Sequence, residues 1–256
     1  MYASEKLMNF RTISKLCATH SQHVLTAEDL ALPDLKTELS HIGQFAEIAY
    51  STMPDYIFEH LKMLSREGFP LEGYDALSSA KLVTRFLGKV AALSGFVAYR
   101  HQTKQLVVAF SGTVTVHQAL YDLHFQKRRH PAGRGCSVHA GFWKLYKGIR
   151  RAAMEGMRKG LEENEVRELV LTGHSLGGAM SFLAALDLLV TEDSKLVAAI
   201  DLTVMAFGAP RVGNAALARV WRDAVRGRRE KRGEHAVREY LVKAFNDGKW
   251  RMIDPG

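Results

Sequence analysis

Residues 167–178, Arg167-Glu-Leu-Val-Leu-Thr-Gly-His-Ser-Leu-Gly-Gly178, run from an aliphatic stretch straight into a G-x-S-x-G turn. Leu169-Val170-Leu171 has the character of a buried strand, and an apolar helix begins at once through Ala179, Met180, Phe182, Leu183 and Leu186. Gly173, His174, Ser175 and Gly177 therefore sit at the change from strand to helix. A serine held in that sharp turn reads as a nucleophile elbow, its backbone strained and its hydroxyl projecting above the sheet. The flanking glycines fit, because a Cβ at either position would strike the neighbouring strand or helix. A Gly-rich loop with no chemistry would carry the same glycines; the strand before and the helix after favour the elbow.

Outward from this turn, Pro33 followed by Leu35, Leu39, Ile42, Phe45, Ile48 and Ala49 at helical spacing predicts a helix packed on a sheet. Further helices are expected over residues 56–65, stopped by Gly68 and Pro70, and over 79–87. Residues 94–101 and 105–110 read as strands joined by the polar turn Gln102-Thr-Lys104. A basic amphipathic helix over 142–161 follows, then strand 168–172, helix 178–190, strand 200–207, helix 214–225 and a last strand over 240–245. Strands alternating with helices predict an α/β fold, a mainly parallel sheet covered on both faces. Residues 1–30 show no periodicity and read as a loose arm, leaving 31–256 as one domain.

A hydrophobic content of 47% with 24% charged residues is ordinary for a globular chain. The formal charge of +8 raises nucleic acid or anionic membranes as partners. Much of the excess sits in Arg226-Gly-Arg-Arg-Glu-Lys-Arg232 and in Lys127-Arg-Arg-His130, and both runs read as solvated insertions. Neither carries the interleaved aromatics that would stack on bases, so no nucleic acid is expected. No run of about 18 apolar residues exists, so no transmembrane segment is expected. Residues 1–10 lack the apolar core of a signal peptide, which reads as cytoplasmic by default. Cys17 and Cys136 do not make a disulfide framework, and no Cys/His/Asp cluster has ligand spacing, so neither metal nor cofactor is expected.

Gly173-His-Ser-Leu-Gly-Gly178 resembles the elbow of the class 3 (fungal-type) lipases, a branch of the α/β-hydrolases, and three more segments resemble that family in the right order. Val107-Val-Ala-Phe-Ser-Gly-Thr113 resembles the strand and turn that carry its oxyanion residue. Val138-His-Ala-Gly-Phe142 resembles the segment just after its lid, and Phe207-Gly-Ala-Pro-Arg-Val-Gly-Asn214 the loop after the strand that follows the elbow. The resemblance implies an α/β-hydrolase fold and a carboxylic-ester hydrolase that acts on acylglycerols or related apolar esters through a Ser175 acyl-enzyme. Members of the family are often secreted.

A serine hydroxyl is a poor nucleophile until a base takes its proton, and in this fold the chain order is Ser, acid, His. Asp247, in Phe245-Asn-Asp-Gly248, stands where the family places its catalytic Asp; a plain Asn-Asp-Gly turn is the alternative. No histidine follows Asp247, and residues 249–256 depart from the family pattern, so the domain is expected to lack the catalytic His on its C-terminal side. A substitute set of Ser175, Asp223 and His235 would keep the order, while His174 and His139 are expected to be structural.

The oxyanion hole is expected from the backbone N–H of Leu176, at a helix N-terminus, and from Thr113, through its N–H and hydroxyl. Ser111 stands where the family usually carries a basic residue. Between Thr113 and His139, the residues Val114, Val116, Ala119, Leu120, Leu123 and Phe125 form an apolar face at helical spacing. Residues 114–125 thus read as an amphipathic lid that contacts a lipid interface, or as a packed surface helix. The basic run directly after it suits an anionic interface. The rival to the enzyme is a non-catalytic lipid- or partner-binding protein of the same fold. The missing histidine speaks for the rival, the elbow and oxyanion segment for the enzyme.

Overall fold

Val107 and Ala109 leave one face of their strand, and Leu106, Val108 and Phe110 the other, and this alternation sorts the whole core. The computed structural model describes residues 29–90, 93–112 and 127–243, so the arm expected over 1–30 lies almost wholly outside the described residues. In chain order the elements are α1 (Pro33–Ile48), α2 (Pro54–Glu59), α3 (Leu61–Leu64), α4 (Asp75–Ser78), β1 (Ala80–Leu87), β2 (Ser94–Arg100) and β3 (Gln105–Phe110). There follow β4 (Lys127–Arg129), β5 (Ser137–His139), α5 (Ala140–Glu163), β6 (Glu168–His174), α6 (Leu176–Val190), β7 (Asp201–Phe207), α7 (Ala215–Arg232) and β8 (Val237–Val242).

The six-stranded sheet has the order β1-β2-β3-β6-β7-β8. The pairs β3–β6, β6–β7 and β7–β8 are parallel, and β1–β2–β3 is an antiparallel extension. One face packs Val107, Ala109, Val170 and Met205 beneath Ile42 and Phe45 of α1. The other packs Leu106, Val108, Phe110, Leu169 and Leu171 beneath α5 and α6. The sheet is covered on both faces, as expected for near-continuous apolar strands.

Four expectations need correction. Where a helix is expected over 79–87, residues 80–87 form strand β1, antiparallel to β2. The helix expected over 56–65 is two short helices that break at His60. The last strand begins at Val237, three residues earlier than expected. Residues 226–232 are the last turns of α7, not a solvated insertion. Their guanidiniums reach back to carbonyls: Arg228 donates to Val197 and Ile200, Arg229 to Val237, and Arg232 to Ala198 and Ala199. Arg228, Arg229 and Arg232 are thus anchored on backbone acceptors at the end of a helix, where positive charge is favoured, while Arg226 bonds to Asp223.

Candidate active site

Parallel strands deliver their C-terminal ends to one rim, and the four resembling segments meet there. Ser175 joins β6 to α6 with φ 55° and ψ −119°, left-handed backbone that a residue with a Cβ adopts only under strain. Its N–H donates to the carbonyl of Phe207, 2.8 Å away at the end of β7, which holds the turn closed. The side chain is half-buried, at the first turn of a 15-residue helix whose leading amides face the rim.

The glycines are where close approach requires them. A Cβ on Gly173 would lie 2.5 Å from the Gly177 carbonyl carbon, and one on Gly177 would lie 2.1 Å from the Phe110 carbonyl oxygen. A Cβ on Gly178 would lie 2.6 Å from that of Ala209. The helix therefore starts in contact with β3 and with the loop after β7.

The oxyanion segment comes to the same place. Ser111 is buried at the end of β3; its N–H donates to Ser94 O at 2.8 Å and its Oγ accepts from Ser94 N at 3.0 Å. This hydroxyl pairing ties the turn down without the family's basic residue. A Cβ on the next residue, Gly112, would sit 3.1 Å from His174 O and 2.1 Å from the hydroxyl of Tyr50. Tyr50, just past α1, lies 2.9 Å from His174 Nδ1 and donates to His174 O at 3.3 Å, and burial pushes its phenol up. Nothing in the sequence marked Tyr50; the contact joins residues 124 apart. Thr113, Asp247 and the expected lid lie outside the described residues.

Seven of the eleven histidines are described, and six of them are engaged with other groups. His174 is bound by Tyr50. His139 caps α5, its Nδ1 accepting from Phe142 N at 3.4 Å, and burial lowers its pKa. His130 is buried against Trp143, with ring centroids 4.5 Å apart, and desolvation outweighs the nearby Asp187 charge to lower its pKa. His41 meets Arg100, His60 stacks on Tyr56, and His101 packs edge-on to Tyr99. His235 precedes β8 at Val237, which pairs with Leu202 at the start of β7. That is the opposite end of the sheet from Ser175, about 20 Å away at roughly 3.3 Å per residue. Asp223, its supposed partner, is exposed and bonded to Arg226 at 2.6 Å. The geometry removes the Asp223–His235 alternative, and the described residues supply no base to Ser175.

The loop after β7 binds the rim to a small ribbon. Asn214 caps α7 by accepting from Leu217 N at 3.1 Å, accepts from Ser137 N at 3.0 Å, and donates to Gly135 O at 2.9 Å. His139 N donates to Val212 O at 2.9 Å, and Val138 bridges Gly213. The four segments resembled by sequence are thus one hydrogen-bonded assembly.

Known proteins share this fold. A lipase from Rhizopus microsporus var. chinensis superposes with a TM-score of 0.66 at 23% identity, over 86% of this chain and 70% of that one. In sequence, a secreted mono- and diacylglycerol lipase A of Penicillium cyclopium is 34% identical over 128 residues, 49% of this chain and 39% of that protein. A lipase of Rhizopus niveus is 30% identical over 138 residues, 54% of this chain and 35% of that protein. A chloroplastic phospholipase A(1) of Arabidopsis thaliana is 28% identical over 71% of this chain and half of that protein. The chain spans a third to half of the length of these sequence relatives. The family model for class 3 lipase matches residues 107–235, half the chain and all four resembling segments. The superposition establishes the α/β-hydrolase fold, and the chain belongs to the class 3 lipase family.

Proposed function

We propose that the chain is a serine carboxylic-ester hydrolase acting on acylglycerols or related apolar esters. The observation that carries this reading is Ser175: strained backbone, half-exposed hydroxyl, and a helix N-terminus immediately behind it. In the reaction the Ser175 hydroxyl oxygen attacks the ester carbonyl carbon while a base takes its proton. The carbonyl oxygen becomes an oxyanion, which in this reading the Leu176 N–H stabilises, with Thr113 as the second donor. One such donor is worth about 3–4 kcal/mol of barrier. Collapse expels the alcohol with the proton and leaves an acyl-serine, which water cleaves by the same steps reversed.

Asp247 as the acid and residues 114–125 as a lid that opens on lipid complete the proposal. The described strand β8, ending at Val242, points towards the same rim, which supports the place given to Asp247. The base is the open requirement, so the test supplies one. An alkylphosphonate p-nitrophenyl ester, with imidazole as diffusible base, should place one alkylphosphonyl group on the Ser175 oxygen with release of one p-nitrophenolate. Mass mapping that finds the group elsewhere, or equal labelling of Ser175→Ala, overturns the reading.

A further inference from the structure

Residues 127–154 carry eight Lys or Arg and no Asp or Glu, which equals the +8 of the whole chain, so all the other residues together balance. The structure puts half of these cations on one small feature. Lys127, Arg128 and Arg129 make up β4, all three exposed, and Arg134 is exposed in the turn to β5. None of the four makes an ion pair with another described residue. Beside them, Lys147 lies 6.0 Å over the ring of Trp143, which packs on the buried His130 just after β4. In α5 the acids begin only at Glu155, and Arg150 and Arg151 are already paired, with Asp187 and Glu155.

The ribbon is held on the rim of the candidate site. Its β5 strand is stitched to residues 212–214, in the loop that begins where Phe207 accepts the Ser175 N–H. We propose that β4–β5 is an electrostatic dock for an anionic phospholipid bilayer, seating the Ser175 rim on the membrane. The preference for a bilayer over other polyanions rests on the ester-hydrolase reading, because apolar esters collect in lipid phases. Lys and Arg at such a surface contribute about 1 kcal/mol each, so three or four in one ribbon give strong and salt-sensitive attraction. A nucleic acid would gain from stacking aromatics, and the ribbon presents none; Trp143, beside it on α5, packs edge-on with His130 and has Lys147 over its ring.

The test is sedimentation of the full chain with vesicles, carrying Ser175→Ala so that binding is read without hydrolysis and independently of the activity. Vesicles of phosphatidylcholine with about a third phosphatidylglycerol are compared with pure phosphatidylcholine at about 0.1 M salt. The proposal expects clear preference for the anionic vesicles, lost by about a hundredfold in Lys127→Gln/Arg128→Gln/Arg129→Gln. The same loss of net charge placed elsewhere, as Lys36→Gln/Lys62→Gln/Lys81→Gln on exposed positions, should cost no more than about threefold. Far-ultraviolet dichroism and melting confirm that both variants fold. Equal losses in the two triples, no anionic preference, or tighter ribbon-dependent binding of a duplex oligonucleotide than of vesicles each overturns it.

Discussion

At the amino end of the sheet, Arg100, Gln105, Glu168, Thr203 and Arg238 stand on five strands and bond to one another and to Glu38 of α1. At the carboxyl end of the same strands stand Gly112, Gly173, Gly177 and Gly178, with a strained serine between them. One end is filled with side chains that bond to one another, with the buried Arg100 Nε left unpartnered. The other is stripped of them so that backbone meets backbone. Side chains removed from a packed rim leave backbone donors available for a ligand, which a fully paired ladder does not. The division of labour is spatial: the amino end fixes strand register and the seat of α1, and the carboxyl end spends stability on geometry.

The largest effect that can break this comparison is Glu168→Ala. Glu168 is 8% exposed and accepts from Gln105 at 2.9 Å, from Thr203 and from Arg238. Its removal strands those donors, although Arg238 is 43% exposed and can turn to water. A loss of about 3 kcal/mol in urea unfolding is expected, at the low end for a broken buried pair. Phosphonylation of Ser175 in the folded variant should stay within about twofold of the parent, because the change is remote from the reacting atoms. A large fall in labelling without a stability loss would show the two ends to be coupled.

The carboxyl end was legible because its signal is local. Gly173, Ser175 and Gly177 are neighbours in sequence, and a strand before and a helix after define their geometry. The amino-end ladder was not, because Glu38, Arg100, Glu168 and Arg238 meet only once the strand register is known. Strand β1 was misread for a physical reason: Leu82, Val83, Phe86 and Leu87 have helix-like spacing. The register shift between Leu82 and Thr84 breaks the two-residue alternation that would have marked a strand. Residues 226–232 misled as charge, because what their guanidiniums bond, the carbonyls of residues 197–200 and 237, is remote in sequence.

A smaller effect, of opposite sign, sharpens the contrast. If Ser175 stores strain at φ 55°, Ser175→Gly should relieve it and stabilise the fold by about 1 kcal/mol, after the entropic cost of a glycine. Ser175→Ala keeps the Cβ and the strain, and should gain much less. Labelling vanishes in both. A glycine variant no more stable than the alanine variant would mean that the turn is relaxed as built, and that geometry at the carboxyl end costs nothing.

The smallest effect is one of slope rather than height. His139 caps α5 with an unprotonated Nδ1, and burial holds its imidazole below the ordinary 6.5. His130, also at this rim, is shifted the same way by burial. For such a group the unfolded chain takes up a proton near 6.5 while the folded chain resists, so stability is complete above that pH and falls as pH drops towards the folded pKa. Asparagine retains a cap acceptor and does not titrate. His139→Asn should therefore unfold in urea much like the parent at about pH 7.5, and lose stability less steeply between about pH 6.5 and 5. Parallel pH profiles for parent and variant would clear His139 and leave His130, buried under Trp143, as the acid-sensitive group of the carboxyl rim.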